Sequence, residues 1–157
     1  MDELDAETYS AVLDVNLKGT FHCVKAAVPR LRAGRSVRTT NGGVILLFAS
    51  GADVNRPSSS MTYGSSKGGV HGLFLTLEPR LAAQGIRVHD ICPGSIDTSL
   101  MRHVIVEGAK ARGQAPDQAL NQATLGDPED VARVLAFLAS PEADYVRGTI
   151  FTRWRQT

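Results

Sequence analysis

Three residues of this chain have types and spacings that suit acid/base chemistry: Ser50, Tyr63 and Lys67. Tyr63 and Lys67 are four residues apart, so on a helix their side chains share one face, one turn from each other. A free tyrosine has a pKa of about 10, and a neighbouring ammonium group favours the phenolate. A hydroxyl at Ser50 could hold a substrate carbonyl or alcohol against Tyr63. The three residues therefore suit a general acid/base with a positioning partner.

A strand and a helix must bring these residues together. Residues 44–49 form a short apolar run with β-branched members, which is typical of a buried parallel strand. Ser50 follows the end of that run, and open α/β sheets bind ligands at the carboxyl ends of their strands. Residues 62–83 are predicted to form the helix that presents Tyr63 and Lys67. Its apolar stripe consists of Val70, Phe74, Leu77 and Leu81.

A serine thirteen positions before the tyrosine of a Tyr-x-x-x-Lys motif resembles the active site of the short-chain dehydrogenase/reductase family. The resemblance implies hydride transfer between NAD or NADP and a small alcohol or carbonyl substrate, with no preference between the two cofactors. It implies that Tyr63 is the acid/base and that Ser50 orients the substrate. Lys67 would tune Tyr63 and hold the nicotinamide ribose.

Further segments extend the resemblance along the chain. Asn16 begins an N-x-x-G motif, whose asparagine in the family holds a water that links the lysine to solvent. Pro93 and Gly94 begin the P-G-x-x-x-T segment that meets the nicotinamide in the family. The backbone of Ile96 would bind the carboxamide there, and the Thr98 hydroxyl would add a hydrogen bond. The P-E-D-V-A sequence after Asp127 also matches, and it has the residue types of a helix start.

The remaining pattern predicts an α/β fold, specifically a partial Rossmann-like, doubly wound parallel sheet with helices on its faces. About three strands are expected, at residues 44–49, 86–91 and 149–152. Residues 6–33 read as one long helix with an apolar stripe. We interpret residues 1–157 as a single, truncated domain of the family type. The resemblance also implies a homo-oligomer that associates through the 6–33 and 62–83 helices in a full-length protein.

The chain lacks a G-x-x-x-G-x-G segment, which binds the cofactor pyrophosphate in the family. The resemblance therefore covers about the C-terminal two-thirds of a family member. An alternative function follows from this gap: a catalytically inactive fragment that lacks the cofactor-binding half and serves at most as an interaction module. Activity of the chain as given is thus an open question, and we expect it to be inactive. A serine hydrolase is disfavoured because Ser50 does not lie in a G-x-S-x-G sequence.

Composition excludes several function classes. The net charge is +1, so no strong field draws the chain to nucleic acid or to a membrane surface. No apolar run approaches the length of a membrane span. Cys23 and Cys92 lie in apolar surroundings without metal-ligand spacing, which predicts buried thiols and no metal site. The acidic start of the chain is not a secretory signal, so a cytoplasmic location is expected. His89, at a strand end, is predicted to hydrogen-bond to the backbone.

Overall fold

The computed structural model describes residues 5–33, 43–54 and 60–152. Helices and strands alternate along these ranges in the order expected of an α/β fold. The helices are α1 (Ala6–Leu13), α2 (Gly19–Ala33), α3 (Gly51–Val54), α4 (Met61–Ala82), α5 (Ser99–Ala111), α6 (Pro116–Gln122) and α7 (Pro128–Ala139), and the strands are β1 (Val44–Phe48), β2 (Arg87–Pro93) and β3 (Gly148–Thr152). A π-helical turn, Asp14–Lys18, joins α1 to α2, and a 3-10 turn, Pro141–Ala143, follows α7.

The three strands form one parallel sheet in the order β1-β2-β3, which confirms the predicted fold class. Val44 lies opposite Arg87 and Phe48 lies opposite Ile91, while His89 lies opposite Gly148 on the other side of β2. Consequently β2 is central, and the far edge of β1 has no strand beside it within the part of the chain that the structure describes.

The predicted 6–33 helix is present, and it is interrupted by the π-helical turn. Asp5 caps its start, since its carboxylate accepts from the backbone N–H groups of Glu7 and Thr8. The turn is centred on Asn16, the residue whose poor helix propensity sets it apart from its apolar neighbours. Single π-helical turns inside helices occur frequently at functional sites.

Helix α4 matches the predicted 62–83 helix to within one residue at each end. Ser60 caps its start by accepting from the Tyr63 N–H at 3.2 Å. Pro79 lies inside α4, and the helix continues through it for three more residues. Gly85 then adopts a positive φ of 74°, a conformation that favours glycine, and turns the chain into β2.

Side chains alternate between the two faces of the sheet along β2, and helices cover both faces. Val88 and Cys92 point to the face covered by α2 and α4, where they join a core cluster with Ile45, Leu47, Val70 and Phe74. Ile91 points to the opposite face and packs against Leu138 and Ala143, with Val134, Leu135 and Ile150 around them. Because helices pack on both faces, the sheet is doubly wound, as predicted.

The predicted start of α7 is also present, with Pro128 at its first position and Asp127 accepting from the Glu129 N–H at 2.8 Å. No described helix combines the length and the apolar character that crossing a bilayer requires.

Candidate active site

The site begins where β1 ends and α4 starts. Ser50 follows β1 and is buried, with 8% of its surface exposed. Tyr63 lies in the first turn of α4 and is 41% exposed. Lys67 lies one turn further along the same helix. Ser50 and Tyr63 thus lie on neighbouring elements, at the end of β1 and the start of α4. The approach of Ser50 to the Tyr63 hydroxyl stays a prediction.

Lys67 has the best-defined geometry of the candidate residues. Its ammonium group donates to the Phe48 carbonyl oxygen at 2.8 Å, at the last residue of β1. The same Nζ lies 5.9 Å from the centroid of the Tyr63 ring, within cation–π range. The structure therefore joins Lys67 to both the tyrosine and the end of the strand that precedes Ser50.

The π-helical turn brings Asn16 to the same helix. The Asn16 Nδ2 donates to the Ser66 hydroxyl oxygen at 3.0 Å, and Ser66 Oγ in turn donates to the Tyr63 carbonyl at 2.8 Å. Ser66 is fully buried and is the neighbour of Lys67 in the sequence. Asn16 is therefore attached to the turn of α4 that carries both Tyr63 and Lys67.

Residues 94–98 follow the central strand, which ends at Pro93. The Gly94 N–H donates to the Thr152 carbonyl at 2.6 Å, which ties the segment to the end of β3. Ile96 forms an isolated parallel bridge with Gly126, made by the Ser95 C=O and the Asp97 N–H. In a bridge of this type the N–H and C=O of Ile96 itself point to the other side. They are therefore directed away from Gly126.

Thr98 has a structural role that the sequence did not predict. Its side chain caps α5 by accepting from the Met101 N–H at 3.2 Å. A hydroxyl can accept and donate at once, so the expected hydrogen bond to a nicotinamide would use the Thr98 hydroxyl hydrogen. Beside it, Asp97 forms a double hydrogen bond with Arg102, at 2.6 Å to each oxygen. This contact lowers the pKa of the Asp97 carboxyl.

A groove opens along the far edge of β1. It has a volume of about 600 Å³ and lies between the strand and α2. Asn16 and Lys67 border it, together with residues of both elements: Val15, Gly19, Thr20, Cys23, Val24, Ala27, Leu31, Val44, Ile45, Leu46, Leu47 and Phe48. Cys23 is exposed there, whereas we predicted it to be buried; Cys92 is buried as predicted. Two of the candidate catalytic residues thus border a space that the described residues leave open.

Sequence reasoning missed a polar cluster beside these residues. His71 lies one turn after Lys67 on α4, and its Nδ1 is 2.6 Å from Oδ2 of Asp90 on β2. Asp90 is fully buried. The signal that could have shown it is an aspartate inside a strand predicted to be buried, since buried carboxylates are rare unless they are paired.

The prediction for His89 was wrong. Its imidazole is fully buried, and neither ring nitrogen has a hydrogen-bond partner among the described residues. Burial lowers the pKa of His89, and the positive charges of Arg87 and Arg147 lower it further. Within residues 5–33, 43–54 and 60–152, no cluster of three or more His, Cys, Asp or Glu side chains could hold a metal ion.

Known proteins match nearly the whole length of this chain. A family model described as Enoyl-(Acyl carrier protein) reductase matches residues 1–152. The 3-oxoacyl-(acyl-carrier-protein) reductase FabG of Thermotoga maritima is 33% identical over 147 residues, which are 92% of this chain and 54% of that protein. The chain therefore spans about half the length of the curated relatives that it matches.

Solved structures agree with these matches. A short chain dehydrogenase family protein from Francisella tularensis has a TM-score of 0.81 and 27% identity, with 95% of this chain and 62% of that chain covered. The NAD+-bound xylitol dehydrogenase has a TM-score of 0.80 and 26% identity, with 96% of this chain and 60% of that chain covered.

Proposed function

Because the chain belongs to the short-chain dehydrogenase/reductase family, we propose that it carries the acid/base half of an oxidoreductase site. The reaction would transfer a hydride between a nicotinamide cofactor and an alcohol or carbonyl substrate. The observation that carries the proposal is the position of Lys67, which joins the Tyr63 ring to the end of β1. That is the arrangement that a tyrosine acid/base tuned by a cation requires.

Each residue has a role in this proposal. Tyr63 gives a proton to the substrate oxygen in reduction and takes it back in oxidation. Lys67 stabilises the phenolate through its charge, and Ser50 holds the substrate oxygen by a hydrogen bond. Asn16, attached to α4 through Ser66, would hold the water that carries protons between Lys67 and solvent.

The described residues fit the nicotinamide half of a cofactor. The N–H and C=O of Ile96, directed away from Gly126, suit a carboxamide group, which both donates and accepts. The Lys67 ammonium group, which donates to the Phe48 carbonyl, would also be the group that holds a ribose hydroxyl. Pro93, Gly94 and Thr98 would line the same contact. A bound nicotinamide supplies or accepts the hydride; the geometry favours neither NAD nor NADP.

The substrate class follows from the same chemistry. A serine and a tyrosine hydroxyl together recognise one oxygen that alternates between carbonyl and alcohol. The names of the matched proteins, a 3-oxoacyl-(acyl-carrier-protein) reductase and a xylitol dehydrogenase, describe substrates of that kind. We therefore propose a small alcohol or carbonyl compound as substrate.

A second candidate is a catalytically inactive fragment that acts at most as an interaction module. The open groove along β1 favours it, because Asn16 and Lys67 border a space that no described element fills. An unpaired apolar strand edge also invites a partner. In this case the site residues would be present without supporting turnover.

The same helices that carry the site support a homo-oligomer. Four large apolar side chains on them are exposed: Val15, Phe21, Met61 and Leu75. We propose that two copies of a full-length protein associate through these helices. In that protein Leu75→Asp should shift the dimer to a monomer in sedimentation equilibrium, whereas a full-length wild-type protein that sediments as a monomer would contradict the proposal.

Dinucleotide titration with turnover assays tests the proposed function. NADH and NADPH would be titrated by fluorescence against the purified chain and assayed with alcohols and ketones. The assays would be repeated with an added polypeptide that carries the glycine-rich segment of a longer relative. We expect no turnover by the chain alone, because small misplacement of the reacting groups is costly. With the added segment we expect turnover that Tyr63→Phe abolishes.

Two outcomes would contradict this view. Restored dinucleotide binding without any turnover would favour the inactive fragment. Turnover that Tyr63→Phe leaves unchanged would show that another group is the acid/base.

A further inference from the structure

We propose that the buried pair of Asp90 and His71 is a positioning device for the catalytic helix. It sets the rotation of α4 against the sheet and thereby the approach of Lys67 to Tyr63. The inference rests on the function proposed above, because it concerns the residues to which that function assigns the chemistry. Neither Asp90 nor His71 touches the reacting groups in this proposal; both act through α4.

The contact joins two elements at one well-defined point. His71 Nδ1 and Asp90 Oδ2 are 2.6 Å apart, a short and therefore strong contact. An ionised carboxylate only accepts hydrogen bonds, so towards such a carboxylate the imidazole Nδ1–H is the donor. Thr149 on β3 approaches the same oxygen at 3.4 Å, and the Cys92 sulfur lies 3.8 Å away. The carboxylate thus links α4, β2 and β3.

The buried location makes this contact selective. Asp90 is fully buried, and its Oδ1 has no hydrogen-bond partner among the described residues. A buried carboxylate that loses its partner is strongly destabilising. A rotation of α4 that breaks the contact between His71 and Asp90 would leave the carboxylate without this partner and would therefore destabilise the fold. By contrast, the apolar packing of Val70 and Phe74 in the core cluster is non-directional and does not by itself define one rotation of the helix.

The position of His71 on α4 connects it to the chemistry. Tyr63, Lys67 and His71 are spaced by four residues, so they lie along one strip of the helix. His71 is about 12 Å along the axis from Tyr63, at a rise of about 1.5 Å per residue. Lys67 lies between them, with its ammonium group on Phe48. Because Phe48 holds the Lys67 ammonium group on the sheet while the Tyr63 ring moves with α4, a small rotation of the helix changes the distance between them. Such displacements are costly to catalysis.

The test separates positioning from stability by replacing the whole pair. The double variant His71→Leu with Asp90→Leu removes both polar groups and fills the space with apolar side chains of similar size. Such replacements of buried pairs are often neutral or stabilising. The readout is the ring-current shift of the Lys67 ε-methylene protons by NMR, referenced to Tyr63→Leu in each background. This signal reports the distance from Lys67 to the Tyr63 ring directly.

We expect the double variant to fold and to lose most of that ring-current shift. The matched control is Thr149→Val, which removes another group beside Asp90 without touching α4, and it should keep the shift. A double variant that folds and retains the wild-type shift would overturn the proposal. If the double variant does not fold, His71→Gln and His71→Leu decide. The amide of glutamine can still donate to Asp90, so the proposal requires that only His71→Leu loses the shift.

This readout is independent of turnover. Loss of the ring-current shift in the double variant supports the positioning role even if no dinucleotide binds. Failure of the proposed function would appear instead as restored dinucleotide binding without turnover, with the Lys67 signal unchanged.

Discussion

Two neighbouring residues of β2, Asp90 and His89, are buried polar groups with different surroundings on the two faces of the sheet. Asp90 points to the face covered by α4 and is bonded to His71. His89, its neighbour in the strand, points to the face covered by α7, and neither of its ring nitrogens has a partner among the described residues. Both side chains are fully buried. Asp90 therefore connects β2 to α4, whereas His89 is buried without a hydrogen bond to any described residue.

Arg87 shows that the second face can also be organised by polar contacts. Its guanidinium group donates to the carbonyl oxygens of Leu138 at 3.2 Å and Ser140 at 2.8 Å, at the end of α7. It also lies 3.8 Å from a carboxylate oxygen of Asp144. These bonds satisfy carbonyls that the helix itself leaves unpaired. The difference between the faces thus lies in which buried groups have partners, and stability measurements can resolve it.

The largest expected effect is on the α4 face. His71→Ala leaves the fully buried Asp90 carboxyl without the imidazole that pairs with it, so we expect the free energy of unfolding to fall by about 3 to 5 kcal/mol. Urea denaturation followed by circular dichroism measures this. The control is Asp14→Ala, which breaks the exposed ion pair with Lys18 and should cost less than about 1 kcal/mol. Equal losses in the two variants would contradict the comparison.

A smaller effect is expected where Arg87 holds α7. Arg87→Met keeps most of the side-chain volume and removes the two hydrogen bonds to the helix end, so the loss should be about 2 kcal/mol. The matched control is Arg133→Met, because Arg133 lies on α7, the helix that Arg87 contacts. Arg133 makes exposed ion pairs with Glu129 and Asp130, and its replacement should cost about 0 to 1 kcal/mol. A loss at position 87 no larger than that at 133 would refute the assigned role.

Local pattern predicted most of the fold. The apolar run at 44–49 became a strand that ends one residue earlier, and the sequence around Asp127 became the expected capped helix. Both signals depend on residues that are neighbours in the chain. Asn16 is an intermediate case, because its low helix propensity marked an unusual position without indicating a π-helical turn.

The parts of the site that were missed depend on contacts between distant residues. The bond from His71 to Asp90 requires knowledge of how α4 is rotated against β2, which no local pattern contains. Likewise, Cys23 was expected to be buried because its neighbours are apolar, but it faces the open groove along β1. Burial there depends on what lies beside β1, and helix periodicity does not specify that.

The smallest expected effect concerns His89 and is distinguished by its pH dependence. His89→Leu replaces a buried imidazole that lacks partners by an apolar group of similar size, so we expect a gain of about 1 kcal/mol at pH 7. Burial and two arginines lower the pKa of His89 in the folded chain below its ordinary value of 6.5. Above pH 6.5 the histidine is neutral whether the chain is folded or unfolded. Below it, the unfolded chain binds a proton that the folded chain resists, so wild-type stability falls as pH decreases toward the folded pKa.

The advantage of the variant should therefore grow as pH falls below 6.5 and stay constant above it. Urea denaturation at several pH values measures this difference, with the exposed His103→Leu as the control that should keep the wild-type pH dependence. A difference between His89→Leu and wild type that is independent of pH would mean that the two faces of β2 differ in packing but not in the protonation of their buried groups.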